Sequence, residues 1–570
     1  MSLSKKWMPW ISPLLAIFLL SACEEKVNTP VERYVIEKLK VFTVDGEELY
    51  VNYNIFGDRI DALVENDGKP GNVFKLEFDY PEGITPVSIN PSIAAPLDCA
   101  APVAFELVFP GDYRKRYTLD LKEDAPNPAS LNVDSIRVLT PQGNPAGIEL
   151  SQSGTDFIGL TEGNTTTFKL AFHFTGRTEP MSITPNPDTP LDYSVQQTFT
   201  VQYTPQISKQ YTVKIGRHDP SALQITPIKG VWLTNVASNA LLSQAGIAEC
   251  VNLCRDLGIN TIFMVVYNNG KTMYPSDVMQ EYFGQRIDPV YGSRDPLAEL
   301  IALAQPHNIK VIAWFEYGFA SVYGDNTGGP IIGRYPNWAS RDFNGRITEK
   351  NNFYWIDPFN PDVQRFMRRL MTEVVEKYPD IDGVQGDDRL PALPTNGGYN
   401  QAVVQQYLKE TGRTAPSNYL DPQWLRWRAD KLNDFGEYIY KHIKAIDSRY
   451  IVSMSPSPYI WSYQNYLQDW PNWVRNKQLD YVHPQCYRYS FNDYKASLDD
   501  NYGHISQIPG RDILFSPGVL LGTGSGDGIT PQILDQILTY NRSIGLQGEV
   551  YFYYERIRQN PGFQTVIRNH

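Results

Sequence analysis

The chain has 570 residues, of which 42% are hydrophobic and 20% charged, so a disordered, collagen-like or coiled-coil protein is excluded. At about 100–200 residues per domain, this length predicts about three domains, or one large barrel with smaller modules. The formal net charge of −12 argues against a nucleic-acid partner, because phosphate binding needs a basic surface. The aromatic share of 13% suits both apolar cores and stacking against sugar rings.

The N-terminus has the organisation of an export signal. Two lysines precede an apolar run over residues 7–20, which is shorter than a membrane-spanning helix. The run ends in Leu20-Ser21-Ala22-Cys23, which resembles the lipobox of bacterial lipoproteins, in which the Cys is diacylated and becomes the first mature residue. The resemblance implies a signal peptide over 1–22, lipidation of Cys23, a linker over 23–33 and a membrane anchor. An ordinary signal peptide with a chance Cys is the alternative.

The two residues after Cys23 bear on the compartment. Glu24 and Glu25 resemble an acidic export tag that places lipoproteins of some Gram-negative bacteria on the outer leaflet. The N-terminus thus predicts a bacterial outer-membrane lipoprotein, and the choice between the inner and the outer leaflet stays open.

Residues 34–124 and 130–220 are predicted to be two copies of one β module. Short alternating apolar runs are bounded by Gly, Pro and Asn, which is typical of strands and turns. Phe74-Lys75-Leu76 matches Phe168-Lys169-Leu170, and three further matches share the same offset of 94 residues. A gapless repeat of this length predicts a duplicated immunoglobulin-like β-sandwich. We favour a spacer role for these modules over carbohydrate binding.

Residues 226–570 have strands that alternate with amphipathic helices, which predicts an α/β (β/α)8 TIM barrel. Helices are predicted over residues 363–378 and 424–446, and another begins where Asp295 caps Pro296. The loops that follow strands are much longer than those that precede them, which enlarges the face where barrel active sites lie. The eight predicted strands are Gly230–Thr234, Thr261–Val266, Val311–Phe315, Gly383–Gly386, Ile451–Ser455, Tyr481–Gln485, Ile513–Pro517 and Glu549–Tyr553.

Carboxylates gather at the ends of three predicted barrel strands. Glu316 follows the third strand, Asp387 and Asp388 follow the fourth, and Glu555 follows the eighth. Glycoside hydrolysis needs two carboxyls across the scissile bond, so we predict Asp387 and Glu316 as the pair, with Asp388 and Glu555 in support. Adjacent strand residues face opposite ways, so only one of Asp387 and Asp388 can readily point into the pocket. Each acid could instead be structural, as a helix cap or a partner of Arg389.

Polar and aromatic side chains near the same strand ends are predicted to bind sugar hydroxyls or to stack on sugar faces. A phosphate-binding Gly-rich loop, a zinc helix and a nucleophile elbow are all missing from the sequence, so no cofactor and no metal are predicted. The Cys residues beyond Cys23 suggest neither a disulfide framework nor a metal site. The predicted substrate-binding residues are Asn235, Asn268, Trp314, Arg389, Trp461, Tyr463, His483, Gln485 and Tyr487.

A series of motifs over about 228–560 resembles, in order, the bacterial glycosyl hydrolase-like family ten, an exported TIM-barrel family. The resemblance implies glycosidase chemistry on a polysaccharide or on peptidoglycan strands. The family usually has Phe where Gly386 stands, so open space is expected beside the acids, and many relatives have Asn where Glu316 stands. The motifs are Gly230-Val231-Trp232-Leu233-Thr234-Asn235, Asp295-Pro296-Leu297, Ala313-Trp314-Phe315-Glu316-Tyr317-Gly318-Phe319, Pro358-Phe359-Asn360-Pro361-Asp362-Val363, Asp382-Gly383-Val384-Gln385-Gly386-Asp387-Asp388, Trp427-Arg428-Ala429-Asp430-Lys431, Ser453-Met454-Ser455-Pro456 and Leu467-Gln468-Asp469-Trp470.

Together these features predict a multidomain, lipid-anchored glycoside hydrolase of the cell envelope. Its expected partners are a glycan substrate, the membrane and other envelope glycan-processing proteins. One alternative is a non-catalytic glycan-binding or adhesion lipoprotein on a barrel scaffold. A second alternative is an envelope structural protein whose barrel only packs against partners.

Overall fold

A computed structural model describes residues 34–46, 48–64, 72–123, 131–174, 180–510, 514–524 and 527–570. The predicted signal peptide, Cys23 and the linker lie outside these residues. The chain forms two compact units, one with the first β module and the other with the second β module and the barrel. Within the described ranges, no helix is both long enough and apolar enough to cross a membrane.

The first module is a sandwich of two sheets, with strand orders β2-β1-β5-β7 and β3-β4-β9-β8-β6. Strand β4 shows why it forms: Ile60, Ala62 and Val64 are buried while the residues between them are exposed. This two-residue period turns one face of the sheet toward the core. The strands are β1 (Lys38–Phe42), β2 (Glu48–Leu49), β3 (Val51–Phe56), β4 (Arg59–Val64), β5 (Val73–Asp79), β6 (Ser88–Asn90), β7 (Leu97–Asp98), β8 (Val103–Phe109) and β9 (Tyr113–Glu123).

The second module repeats this topology, with strand orders β10-β13-β15 and β11-β12-β17-β16-β14. Its strands β14 and β15 begin 94 residues after β6 and β7, so the predicted duplication is present in the structure. The immunoglobulin-like class of the two sandwiches stays a prediction. The strands are β10 (Val133–Leu139), β11 (Ser151–Ser153), β12 (Asp156–Thr161), β13 (Thr167–Phe174), β14 (Ser182–Thr184), β15 (Leu191–Asp192), β16 (Gln197–Gln202) and β17 (Ser208–Arg217).

The barrel is a sheet of eight parallel strands in the order β28-β27-β26-β22-β19-β18-β30-β29. Parallel bridges from Val482 to Phe515 and from Gln485 to Gly518 close the sheet between its two ends. Its strands are β18 (Lys229–Leu233), β19 (Thr261–Val265), β22 (Lys310–Trp314), β26 (Gly383–Gly386), β27 (Ile451–Met454), β28 (Tyr481–Val482), β29 (Gly518–Leu520) and β30 (Glu549–Phe552). The loops add β20 (Tyr267–Asn268), β21 (Lys271–Thr272), β23 (Ala320–Tyr323), β24 (Glu349–Lys350) and β25 (Phe353–Trp355).

The seventh barrel strand differs from its prediction. It was expected at Ile513–Pro517, but the ladder to β30 begins at Gly518, and Phe515 makes only an isolated bridge. The other seven strands lie within about one residue of their predicted start.

Helices surround the barrel, and their apolar stripes face the strands. The helix predicted after Asp295 is confirmed, since the Asp295 carboxylate accepts a hydrogen bond from the backbone N–H of Ala298 at 3.1 Å. The helices are α1 (Gln244–Asp256), α2 (Asp277–Phe283), α3 (Pro296–Ala304), α4 (Gly329–Arg334), α5 (Pro361–Lys377), α6 (Gln401–Thr411), α7 (Pro422–Lys444), α8 (Trp461–Tyr466), α9 (Trp470–Arg475), α10 (Phe491–Ser506), α11 (Pro531–Ser543), α12 (Tyr554–Gln559) and α13 (Pro561–Asn569).

The second sandwich packs on α5 and α7 of the barrel through a buried carboxylate. Asp156, at the start of β12, accepts a hydrogen bond from the Tyr438 hydroxyl at 2.6 Å. Arg368 on α5 lies 3.6 Å from the same oxygen. Gly216 approaches α7 so closely that a Cβ there would lie 2.2 Å from the Cβ of Ala445. The second sandwich and the barrel therefore share one continuous packed interface.

Candidate active site

The acids lie where parallel strands end on one rim of the barrel. Gln385, in β26, points into the barrel, where its Oε1 accepts a hydrogen bond from Trp232 Nε1 at 2.7 Å. Side chains two residues apart on a strand face the same way, so Asp387 lies above Gln385 at the mouth of the barrel. Glu316 follows the neighbouring strand β22 by two residues.

Asp387 is a buried carboxyl with several donors. Its side chain is 3% exposed. Oδ1 accepts hydrogen bonds from Gln485 Nε2 at 2.7 Å and from Ser455 Oγ at 3.1 Å, and Oδ2 lies 3.3 Å from Arg389 Nη1. Burial, followed by the charge of Asp388, raises the pKa of Asp387 well above its usual value, and Arg389 only partly opposes this. Its surroundings therefore favour the protonated form more than water does.

Arg389 joins the acids through one nitrogen. Its Nη1 lies 2.6 Å from Asp388 Oδ1 and 3.1 Å from the carbonyl oxygen of Glu316, in addition to its contact with Asp387. The loop strand β25 places the Phe353 ring against the guanidinium, at 4.6 Å from the ring centroid. One cation thus contacts the carboxyls of Asp387 and Asp388, and its charge also acts on the carboxyl of Glu316.

Glu316 is half-buried on the same rim. Burial raises the pKa of its carboxyl, while the charge of Arg389 and a hydrogen bond from Asn268 Nδ2 lower it. Asn268, which was predicted to bind substrate, therefore donates a hydrogen bond to the carboxyl of Glu316.

Aromatic rings form the floor beside these acids. Trp314 packs 6.4 Å from Trp232, and Tyr487 packs between Trp232 and Phe552 at 6.3 and 5.2 Å. Burial and then the charge of Asp387 raise the pKa of Tyr487, which shows that its hydroxyl lies near the acid. Nε1 of Trp314 and Oδ1 of Asn235 are buried without a hydrogen-bond partner in the described part of the chain.

An exposed aromatic side chain marks the rim. Trp461 on α8 is 48% exposed and packs 5.5 Å from the ring of Tyr466. Burial and the charge of Asp388 raise the pKa of Tyr466 to about 12, so this pair of rings borders the acids. Tyr463 lies instead under the guanidinium of Arg426, at 5.3 Å from the ring centroid.

Two predicted site residues have other surroundings. Glu555 accepts hydrogen bonds from Ser238 at 2.8 Å and from Arg558 at 2.7 Å, and no described hydrogen bond joins it to the other acids. His483 is fully buried, with Nδ1 3.0 Å from the carbonyl oxygen of Ser516. Burial lowers the pKa of His483 to about 4, so the ring is neutral inside the barrel. The structure brings neither residue together with Asp387.

The space expected at Gly386 is filled. A Cβ on Gly386 would lie 2.3 Å from the carbonyl oxygen of Leu390 and 2.6 Å from Met454 Sδ. The expectation of an open pocket at this position is therefore wrong, because the chain after Asp388 folds back over the strand.

Two residues that support Asp387 were not predicted as site residues. Ser455 ends β27 and donates to the carboxylate, while Gln468 Nε2 donates to the Asp387 carbonyl oxygen at 3.0 Å. Both occur in motifs that carried the family resemblance, and this was the available signal. No group of three or more His, Cys, Asp or Glu side chains suited to a metal ion occurs among the described residues.

Comparisons with known proteins show what the barrel is similar to. Residues 227–508 match the family Glycosyl hydrolase-like 10. The chain is 26% identical to glycosyl hydrolase DigH of Escherichia coli K12 over 50% of this chain and 67% of that protein. It is 26% identical to glycosyl hydrolase YngK of Bacillus subtilis 168 over 46% of this chain and 54% of that protein. The PgaB (BpsB) glycoside hydrolase domain of Bordetella bronchiseptica aligns at 15% identity and a TM-score of 0.47, over 60% of this chain and 98% of that one. The barrel is therefore similar to the Glycosyl hydrolase-like 10 family and to two proteins named glycosyl hydrolases.

Proposed function

We propose that this protein is a glycoside hydrolase that cleaves a glycan with Asp387 and Glu316 as its carboxyl pair. The observation that carries the proposal is the shared environment of three carboxyls around the single guanidinium of Arg389. Burial and like charge raise the pKa of Asp387 and of Glu316, and two-carboxylate hydrolysis needs one protonated and one ionised group.

The environments of the two acids suggest their roles. Asp387, whose pKa is raised by burial and by the charge of Asp388, acts as the general acid toward the glycosidic oxygen. Glu316 acts as the nucleophile or the general base, and the hydrogen bond from Asn268 favours its ionised form. Asp388 pairs with Arg389 at 2.6 Å and holds the guanidinium beside both groups.

The substrate we propose is a polysaccharide or the glycan of peptidoglycan. Trp461 offers an exposed ring at the rim for stacking on a sugar face. We also propose that lipidation of Cys23 anchors the chain to the outer membrane, near other glycan-processing proteins of the envelope. This part rests on the motif over residues 20–23.

Replacement of Asp387 by Asn tests the catalytic assignment. We expect kcat to fall by about 10²–10⁴-fold, the usual contribution of a general acid, while the thermal unfolding midpoint stays close to that of the wild type. The assay is the release of reducing ends from envelope, plant and host polysaccharides. Asp362→Asn is the matched control, because Asp362 is exposed on α5 and pairs only with Arg365.

Two outcomes would contradict the proposal in different ways. Full activity of Asp387→Asn on the glycan that the wild type cleaves would remove Asp387 from the mechanism. Tight oligosaccharide binding by the wild type without release of reducing ends would favour a glycan-binding lipoprotein instead.

A further inference from the structure

A second cavity opens on the strand-end face of the barrel, between the loops that follow the seventh and eighth strands. Its volume is about 260 Å³. Leu521 directly follows β29, and Arg556 belongs to α12, which follows β30, so the cavity lies on the same face as the acids. This volume is below the range of about 300–1,000 Å³ of pockets for drug-sized ligands, and it suits a single sugar residue. The lining residues are Leu521, Gly528, Ile529, Arg556, Gln559, Asn560 and Phe563.

Arg556 is held in this cavity without a carboxylate partner. A Cβ on Gly522 would lie 2.4 Å from its Nε and Nη2, and a Cβ on Gly528 would lie 3.0 Å from Nη2. Only glycine at these two positions therefore leaves room for the guanidinium. In the described part of the chain its one side-chain hydrogen bond is long, 3.5 Å from Nη2 to the carbonyl oxygen of Asp527. The remaining donors of the guanidinium are available to a ligand.

The other walls fit a sugar ring. The Asn560 carbonyl oxygen Oδ1 accepts from the backbone of Gly562 at 2.9 Å, which leaves its amide N–H groups as donors. Leu521, Ile529 and Phe563 are buried and close the bottom of the cavity. A guanidinium beside amide donors matches a sugar that carries an anionic group next to its hydroxyls.

A chain of contacts connects this cavity with the acids. Burial and then the charge of Asp387 raise the pKa of Tyr487, which packs 5.2 Å from Phe552. Phe552 packs 5.2 Å from Tyr553, whose carbonyl accepts from the backbone N–H of Arg556 at 3.1 Å. Three rings therefore connect Arg556 with the hydrolytic site, and a glycan chain of several residues would be needed to reach from one to the other.

We infer that this cavity is a subsite for an acidic sugar, in which Arg556 binds the carboxylate or the sulfate of the residue. The inference rests on the proposed function, because it makes the substrate an acidic glycan. A carboxylate and a sulfate share the oxyanion chemistry that a guanidinium recognises, so both are tested as probes.

The test is calorimetric titration of the full chain with sodium glucuronate, glucose 6-sulfate and glucose at constant ionic strength. Both the wild type and Asp387→Asn are titrated, so that binding is measured whether or not hydrolysis occurs. We expect at least one anionic probe to bind both proteins equally, and glucose to bind much more weakly. Arg556→Gln should weaken the binding of that probe about tenfold or more. Arg449→Gln is the matched control, since Arg449 is exposed and pairs with Asp447.

Arg556→Lys covers the case in which Arg556→Gln fails to fold, because it keeps the charge and loses the planar fork. Arg556→Lys should bind the anionic probe more weakly than the wild type binds it. It should still bind that probe more tightly than it binds glucose. The inference is overturned if neither anion binds the wild type in the millimolar range, or if Arg556 variants bind the anions as the wild type does. A positive binding result together with an inactive wild type would reject the hydrolase proposal and keep the subsite.

Discussion

Gln485 offers the sharpest test of how Asp387 is positioned. Its Nε2 donates to Asp387 Oδ1 at 2.7 Å and to the carbonyl oxygen of Ser455 at 3.0 Å. Gln485→Leu keeps a similar volume and removes the donor from the buried carboxyl. A hydrogen bond to an uncharged group contributes about 0.5–1.5 kcal/mol, so kcat/KM should fall about 2- to 10-fold.

The pH dependence should change in a defined direction. A donor to the ionised form lowers a carboxyl pKa, so its removal raises the pKa of Asp387 further. If Asp387 is the general acid, the basic limb of the kcat/KM profile moves to higher pH in Gln485→Leu. The assay is reducing-end release across a pH series, with Gln507→Leu as the control because Gln507 is exposed on the outside of the barrel.

A different role for Gln485 would give a different result. If Gln485 only bound a sugar hydroxyl, as the sequence predicted, KM would rise while kcat and the basic limb stayed in place. That pattern, or an unchanged kcat/KM, would refute a positioning role for Gln485.

Two further predictions concern stability. Asp357 is buried and accepts one backbone hydrogen bond, and burial raises its pKa to about 7. Because this folded pKa exceeds the unfolded value of about 3.9, its contribution to stability is full below about pH 4 and is lost as pH rises through about 7. In Asp357→Asn the free energy of unfolding should fall less with rising pH, by at most about 4 kcal/mol over this range. Urea unfolding at a series of pH values measures this, and an unchanged dependence of that free energy on pH would contradict the prediction. Tyr438→Phe removes the donor to buried Asp156 and should cost about 1.5–3 kcal/mol. The same unfolding measurement, with exposed Tyr419→Phe as control, would disprove this if both variants matched the wild type.

The barrel was predictable because apolar residues recur at a different spacing along its helices than along its strands. The apolar stripes over residues 363–378 and 424–446 correspond to α5 and α7 within two residues. The seventh strand was misplaced because the apolar run from Ile513 looks like any buried strand, and only the pairing with β30 shows that the ladder starts at Gly518. Pairing partners are distant in sequence, and no local pattern encodes them.

The acids were predictable from their places at strand ends, but their partners were not. An uncharged serine such as Ser455 carries no signal of its role until its strand lies beside β26. His483 and Gln485 share one face of their strand, and a two-residue step of about 6.6 Å separates the buried interior from the rim. The sequence does not show whether the mouth of the barrel begins at the level of His483 or at the level of Gln485.

The charge balance at the mouth connects the two arginines. Arg389 is already in contact with Asp387 and Asp388, so it has little attraction left for an anionic ligand. A chain with a net charge of −12 would repel an acidic glycan unless a free cation stood on the same face. Arg556 is such a cation, because no carboxylate among the described residues pairs with it. An acidic substrate would therefore be drawn to the loops after the seventh and eighth strands, on the same face of the barrel as Asp387.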